Sequence, residues 1–338
     1  MKALKYLLFL LLIAVIGFSI YVALQPNSYK ITVKKTIDAP APVVYDLVND
    51  FNNWDSWLSL TNGNPELVLN VSDHSSGPDS YLSWDLKNHS GSIKTTGVNP
   101  NKMIDQEISY KNFPSLGGIW GFNQNDNATD VSFTLASENL SFSFKAKSIL
   151  KGGIEKQIEP ELVEGLNKLD SFVVARMHQY SIKVDGITNH SGGYYLYTTT
   201  SCKLNAFTEK MEASLSSLKQ YVTENNITTG GAPFTLFYNW DRDNNAVVFS
   251  SCIPTTEKVI TTSSEILTGQ LEPFKALKTT LQGNYSNLNE AWQKANDYIS
   301  QYGLKAREDG PMLELYVTDP QTTPNPADWV TEIFIALE

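Results

Sequence analysis

The most informative segment of the sequence is GPMLELYVTDPQTTPNPADWVTEIFIALE, residues 310–338. It predicts two β-strands, residues 312–318 and 329–337, joined by a Pro-rich connection. Successive side chains of a strand face opposite sides of a sheet. Glu314 and Tyr316 therefore share one face of the first strand, and Glu332 and Phe334 share one face of the second.

Each strand thus carries a carboxylate beside an aromatic ring, which allows two interpretations. A carboxylate among aromatic side chains suits a pocket for a cationic or polar aromatic molecule. The alternative is that this face lies in water, because antiparallel sheets often expose one face. The alternation of residues alone leaves both open.

Length and charge narrow the class of protein. A chain of 338 residues favours two domains, and a formal net charge of -10 argues against a nucleic-acid surface. No CxxC or HExxH spacing occurs and the four His are scattered, so we predict no metal site and no cofactor. Cys202 and Cys252 could form one disulfide, but the sequence does not decide this.

The N-terminus carries a membrane signal. Lys2 and Lys5 precede an uncharged apolar run at residues 6–24, which is long enough to cross a bilayer core. The alternative is a cleaved signal peptide, whose apolar core is usually shorter, about 7–15 residues. We favour a retained single-pass anchor, residues 1–27 including its linker, with the rest of the chain outside the cytoplasm.

Residues 28–178 form the first predicted soluble domain. A strand at 29–37 is followed by a helix at 43–48 and a short element at 49–57, whose first turn Asp50 or Asn52 caps. Further strands are predicted at 66–71, 80–86, 90–98, 103–110, 117–123, 130–136 and 142–147. A helix with one apolar stripe is predicted at 161–177. No catalytic set of residues stands out.

The segment TIDAPAPVVYDLVNDFNNWDSW, residues 36–57, resembles the opening of the START-like polyketide cyclase and lipid-transport superfamily, SRPBCC. Trp54 and Trp57 match the Trp pair of that pattern. The resemblance implies a helix-grip fold, in which a long antiparallel sheet grips a C-terminal helix around an apolar ligand cavity.

Residues 179–338 form the second predicted domain, and their strands and helices recur. Strands and a helix at 208–225 precede two strands at 234–240 and 246–254, and a second helix at 286–302 precedes the C-terminal pair. APFTLFY at 232–238 aligns with GPMLELY at 310–316, which places Leu236 opposite Glu314 in the alignment. We predict a duplicated β-α-β-β unit, and an α+β fold for the whole chain.

Residues 283–304 and 311–338 resemble the GyrI-like domain, the effector-binding domain of bacterial multidrug-sensing activators. Ala336 departs from the usual Pro of its final motif. The resemblance implies that Glu314, and second Glu332, pair with amphipathic and often cationic ligands. Aromatic walls would come from Tyr316, Phe334, Tyr238 and Trp292.

These features predict a membrane-anchored protein that binds small amphipathic or lipophilic molecules. No DNA-binding segment precedes the second domain, so the activator role does not carry over. Two alternatives remain open. One is a hydrolase or cyclase-like enzyme with a buried Glu as general acid. The other is a protein-interaction module without a ligand, which a large exposed apolar patch would favour.

Overall fold

The computed structural model describes residues 2–58, 67–85, 90–111 and 114–338. It divides into two compact units, Met1–Arg176 and Met177–Glu338. The chain is a mixed α+β protein with an N-terminal apolar helix and two sheet-rich units, as the sequence predicts. The ends of two predicted strands, residues 66 and 86, lie outside the described residues.

The N-terminal helix α1 spans Lys2–Leu24. Its part Ala3–Leu24 has a mean hydropathy of 2.9, and most of its side chains are exposed. By length and composition this helix is able to cross a membrane, and a signal sequence would share both properties.

The first unit is built on a seven-stranded antiparallel sheet of order β1-β7-β6-β5-β4-β3-β2. Its strands are β1 (Tyr29–Ile37), β2 (Val68–Val71), β3 (Tyr81–Asp85), β4 (Gly91–Asn99), β5 (Met103–Tyr110), β6 (Leu116–Asn125) and β7 (Ala128–Ser137). One face, which we call the lined face, carries the buried residues Ile93, Ile104, Trp120 and Phe133. Pairing of Ile104 with Trp120 and of Trp120 with Phe133 places these large side chains together.

Helices complete this unit. Helix α2 (Ala41–Asn49) has Pro in its first turn, and the 3-10 helix Phe51–Ser56 follows it. Asp50 caps the 3-10 helix, because its Oδ1 accepts a hydrogen bond from Asn52 N at 3.0 Å. Helix α4 (Ile154–Met177) buries a stripe formed by Leu166, Leu169 and Val173.

The predicted strand at residues 142–147 is wrong. Helix α3 spans Phe142–Leu150, and Ser141 Oγ caps it by accepting from Phe144 N at 3.2 Å. The sequence FSFKAK alternates between apolar and polar residues, which is typical of a strand, but its backbone is helical. Lys145 Nζ donates to Gln25 O at 3.0 Å and to Asn27 Oδ1 at 2.7 Å, which ties α3 to the end of α1.

The second unit contains an eight-stranded sheet of order β12-β9-β11-β10-β14-β15-β13-β8. Its strands are β8 (Ser181–His190), β9 (Gly193–Lys203), β10 (Phe234–Asp241), β11 (Ala246–Thr255), β12 (Leu267–Leu271), β13 (Phe274–Gln282), β14 (Met312–Tyr316) and β15 (Val330–Ala336). Helix α5 (Phe207–Glu224) packs on β9 and β11, and α6 (Leu288–Gln301) packs on β8 and β13. The side that they cover is called the helix face.

The opposite side, called the inner face, carries a buried apolar cluster although no helix covers it in the described part of the unit. Pairing of Phe274 with His190 and of Leu271 with Gly193 keeps one register across the corner at residues 191–192 and 272–273. The pair β8–β13 at one end of the strand order therefore continues directly into the pair β9–β12 at the other end. The sheet bends at this corner and folds back towards itself. This bend accounts for a buried cluster drawn from strands alone: Tyr195, Phe234, Leu236, Cys252, Phe274, Ala276, Leu313, Phe334 and Ala336.

Candidate functional site

The candidate site lies on the helix face of the second unit, where central strands β10 and β14 pair. Glu314 on β14 is directly opposite Thr235 on β10 and Ile333 on β15. Its exposed fraction is 3 %, so this carboxylate is not the solvated residue that one interpretation of the sequence predicts. A carboxyl group so deeply buried needs partners to be stable.

Two donors hold the Glu314 carboxylate. Trp292 Nε1 from α6 donates to Oε1 at 2.6 Å, and Tyr316 donates its phenol proton to Oε2 at 2.9 Å. The Tyr316 hydroxyl also lies 3.0 Å from Thr235 Oγ1. Because a phenol has one proton, Thr235 completes the hydrogen bonding of the phenol oxygen. Three elements, β10, β14 and α6, thus fix the position of one carboxylate.

Aromatic rings surround this group. Phe237 lies edge-on to Trp292 with ring centroids 5.9 Å apart, and Tyr285 lies edge-on to Tyr316 at 5.5 Å. Tyr285 also packs on Trp329 at 4.8 Å. Ring faces carry partial negative charge, so walls of this kind favour a cation.

Burial raises the pKa of Glu314, and the hydrogen bonds from Trp292 and Tyr316 oppose that rise. Burial also raises the pKa of Tyr285 to about 12 and that of Tyr316 well above its ordinary value. In the part of the chain that the structure describes, no Lys, Arg or His forms an ion pair with Glu314. The site therefore combines a buried carboxylate, neutral phenols and an indole, and it lacks its own counter-ion among these residues.

The comparisons with known proteins agree with the order of the two domains. Residues 37–167 match the family model described as polyketide cyclase / dehydrase and lipid transport, and residues 194–338 match that of the GyrI-like small molecule binding domain. The chain carries a polyketide cyclase-type domain followed by a GyrI-like domain. Both resemblances seen in the sequence are confirmed.

Solved structures add a general likeness. The C-terminal domain of EcmrR is 14% identical, with a TM-score of 0.41 over 47% of this chain and 98% of that one. A protein of Thermus thermophilus is 18% identical, with a TM-score of 0.35 over 44% of this chain and 98% of its own. One from Rhizobium leguminosarum is 13% identical, with a TM-score of 0.35 over 44% and 95%. No curated protein matches the sequence significantly.

Only half of the predicted site residues meet at Glu314. Glu314, Tyr316 and Trp292 come together on the helix face of the GyrI-like unit. The other three, Glu332, Phe334 and Tyr238, lie on the inner face. One cleft that uses all six residues is therefore not formed, because the sheet itself separates the two sets.

Glu332 is on the inner face of the GyrI-like unit, where it is opposite Leu315. Its Oε1 is 2.7 Å from Lys278 Nζ, so it already has a cationic partner. The Lys278 ammonium lies 5.8 Å from the ring centroid of Phe334, which belongs to the inner-face cluster.

Tyr238 also faces the inner side, where its hydroxyl lies 3.0 Å from Ser250 Oγ. Alternation along β10 sets this direction, because Leu236 lies on the inner face and Phe237 on the helix face. Leu236, which the alignment places opposite Glu314, pairs with Leu313 and lies in the inner-face cluster. The alignment of the two halves therefore matches a residue that lies on the inner face, Leu236, with one that lies on the helix face, Glu314.

Sequence reasoning missed Thr235 and Tyr285, which complete the surroundings of Glu314. Thr331 is also missed: it is directly opposite Tyr316, and its buried Oγ1 has no partner among the described residues. Thr235 could have been found only by predicting that β10 pairs with β14 in the observed register, because that pairing places Thr235 beside Glu314. No alternation within a single strand reveals a cross-strand neighbour.

Other chemistry is not assembled in the described residues. Cys202 and Cys252 are both free thiols. Within the described ranges, no group of three or more His, Cys, Asp or Glu is placed to hold a metal ion. The polar contacts of Glu314 come from an indole, a phenol and, through that phenol, a hydroxyl, so none of them is an ionisable base at ordinary pH.

The polyketide cyclase-type unit has an aromatic interior. Trp54 and Trp57 pack with ring centroids 4.7 Å apart, and Trp57 lies edge-on to Trp120 at 6.0 Å. A pocket of about 550 Å³ opens at the ends of β4 and β5, lined by Ser90, Gly91, Ser109, Tyr110, Lys111 and Ser115.

Proposed function

We propose that this protein binds small amphipathic cations in its GyrI-like unit, with Glu314 as the negative partner. The observation that carries the proposal is a buried carboxylate that two donors hold in place and no cationic side chain of the described residues neutralises. A bound cation would supply the missing charge, and the rings of Trp292, Tyr285 and Phe237 would contact its apolar part. The small-molecule binding described for the family supports this assignment.

Access and charge both favour a cation that enters beside α6. Each carboxylate oxygen can accept more than one hydrogen bond, so Glu314 retains acceptor capacity beyond Trp292 and Tyr316. Trp292 is only partly buried and covers Glu314 from the helix side. A rotation of this indole would uncover the carboxylate without any change in the sheet.

The membrane and domain parts of the proposal rest on the sequence and on α1. We infer that residues 6–24 anchor the chain as a single-pass span, with the domains at 28–178 and 179–338 outside the cytoplasm. The exposed apolar surface and length of α1 support this. We also propose that the GyrI-like unit is a duplicated β-α-β-β unit and that the first unit is a helix grip around an apolar cavity.

The test is a titration of the full chain with tetraphenylphosphonium, followed by calorimetry. Glu314→Gln removes the charge and leaves an amide that still accepts from Trp292, so we expect at least tenfold weaker binding, about 1.4 kcal/mol. Glu332→Gln is the matched control, because Glu332 is on the other face and is paired with Lys278. Its affinity should stay within about twofold of wild type.

Tetraphenylborate separates charge from shape, since it has the same outline and the opposite charge. We expect no binding of this anion to wild type. Equal binding of tetraphenylphosphonium to wild type and to Glu314→Gln, with both proteins folded by circular dichroism, would rule out the proposed role of Glu314.

A further inference from the structure

Five buried side chains of the polyketide cyclase-type unit each have one polar atom without a hydrogen-bond partner among the described residues, and three of these five form one cluster. They are Thr95 on β4, Gln106 on β5 and Trp57, with exposed fractions of 0%, 4% and 3%. Their atoms Oγ1, Nε2 and Nε1 make no hydrogen bond within the described ranges of the chain. Buried polar groups of this kind are almost always paired, so a partner is missing from this part of the chain.

The three side chains belong to one place. Thr95 is directly opposite Gln106 across the β4–β5 pair, so both lie on the lined face of the sheet. Trp120 Nε1 donates to Gln106 Oε1 at 3.0 Å. Trp57 lies edge-on to Trp120 with ring centroids 6.0 Å apart, which brings its indole into the same cluster.

The hydrogen bond from Trp120 determines what the cluster offers. Because an indole N–H only donates, the oxygen of the Gln106 amide must face Trp120, and the NH₂ group must face away from it. Trp57 Nε1 is a donor only, and a threonine hydroxyl is able to donate. The unpartnered set therefore requires a hydrogen-bond acceptor and would repel a cation.

We propose that this unit binds an apolar molecule through an uncharged carbonyl oxygen, which accepts from Gln106, Trp57 and Thr95. An uncharged acceptor is favoured because the surroundings are aromatic and, among the described residues, no Lys, Arg or His is hydrogen-bonded to these three atoms. This site is separate from Glu314 and has the opposite polarity. Its ligand class is thus different from the cations proposed for the GyrI-like unit.

In this proposal the ligand would enter from the pocket at the ends of β4 and β5. Gly91 and Tyr110 line it, and they pair with each other on the same face as Thr95 and Gln106. Thr95 is four steps along β4 from Gly91, which corresponds to about 13 Å at about 3.3 Å per residue. A carbonyl carried roughly that far along a flexible alkyl chain would reach the donors from the pocket.

The experiment uses the full chain in lipid nanodiscs and 2-decanone labelled with ¹³C at the carbonyl. Infrared difference spectra, after subtraction of empty nanodiscs, report the carbonyl stretch of bound ketone. In wild type we expect a shift to lower frequency, because hydrogen bonding weakens the C=O bond. Gln106→Glu keeps the acceptor for Trp120 but replaces the free donor with an acceptor, so ketone affinity should fall at least tenfold and the shifted band should vanish.

Two smaller changes test the same point and leave both partners of the hydrogen bond from Trp120 to Gln106 in place. Trp57→Phe and Thr95→Val each remove one polar atom and keep most of the volume, and each should reduce the frequency shift. Thr96→Val is the control, since Thr96 follows Thr95 on β4 and is exposed, and it should bind like wild type.

The proposal is overturned if bound ketone shows no frequency shift, or if Trp57→Phe and Thr95→Val bind it with wild-type affinity and band position. Buried water would then be the partner of these donors. If Gln106→Glu does not fold, those two variants decide the outcome. Because none of these changes touches Glu314, a failure here leaves the cation-binding test unaffected.

Discussion

Glu314 and Glu332 lie on neighbouring strands and face opposite sides of the same sheet. Ile333 is directly opposite Glu314, and Leu315 is directly opposite Glu332. The one-residue offset gives the two carboxylates different environments. Glu314 is buried beside Trp292 and Tyr316, whereas Glu332 forms an ion pair with Lys278 at 2.7 Å.

The first prediction concerns pH and stability. The folded-state pKa of Glu314 is raised by burial, so the folded state binds a proton more readily than the unfolded state does. Glu314 therefore contributes least to the free energy of unfolding at pH values above its raised pKa. Stability from Glu314 should increase as pH falls from that value towards the ordinary Glu pKa, and it should be constant outside this window.

Thermal unfolding of wild type and Glu314→Gln across pH checks this. We expect the melting temperature of Glu314→Gln relative to wild type to be highest at neutral pH and to decline as pH falls through the window. A difference of 1 kcal/mol corresponds to roughly 2–4 °C for a domain of this size. A constant difference at every pH would show that Glu314 has no raised pKa.

The second prediction separates the two donors to Glu314. Tyr316→Phe removes the partner of Oε2 and should destabilise the GyrI-like unit by about 1–3 kcal/mol, the usual cost of an unpaired buried polar group. Trp292→Phe removes the donor to Oε1 and should also raise the pKa of Glu314 further, because the indole hydrogen bond lowers it.

Urea unfolding measures the first effect, and the pH dependence of tetraphenylphosphonium binding measures the second. Tyr298→Phe is a suitable control, because Tyr298 packs on Tyr302 and is not a partner of Glu314. An unchanged pH midpoint in Trp292→Phe would contradict the role of the indole.

The third prediction concerns His190, whose pKa is lowered by burial and raised in part by the charge of Glu332. His190 stacks on Phe274 with ring centroids 4.9 Å apart. Glu332→Gln removes that negative charge, so the pKa of His190 should fall further. Titration of the histidine resonances by NMR, assigned with His190→Asn, measures the change. A rise in the pKa after Glu332→Gln would refute this account.

The fourth prediction concerns the end of the apolar helix. Lys145 holds Gln25 and Asn27 through two hydrogen bonds, and Leu140 N donates to Asn27 O at 2.8 Å. Lys145→Met keeps a long apolar stem but removes the donors. We expect faster amide exchange at residues 25–28 with little change elsewhere, as measured by hydrogen exchange and mass spectrometry. Lys147→Met, in the same helix α3, serves as the control and should exchange like wild type.

Much of the local structure follows from short-range pattern. Strand β1 and helix α1 have the predicted extents within a few residues, because their alternation and apolar run need no distant partner. The cap at Asp50 is local as well. The same is true of Gly303, which adopts φ +61 just after α6, where a helix stop requires a left-handed residue.

Segments with two equally good local patterns are decided by their tertiary contacts. FSFKAK alternates like a strand, yet it becomes α3, where Ser141 caps its first turn and Lys145 contacts the end of α1. Ser141 is a local signal for a helix start, whereas Gln25, which accepts from Lys145, is distant in sequence.

The alternation of residues within each strand follows from the sequence, which therefore predicts that Glu314 shares a face with Tyr316 and that Glu332 shares a face with Phe334. That these two pairs face opposite sides of the sheet depends on how the strands pair in the folded protein. The physical reason is that side-chain alternation defines faces within one strand, whereas the register between strands relates one strand's faces to the next. A shift of one residue in that register exchanges the two sides. The observed register leaves Glu314 buried with no cationic partner among the described residues and Glu332 paired with Lys278.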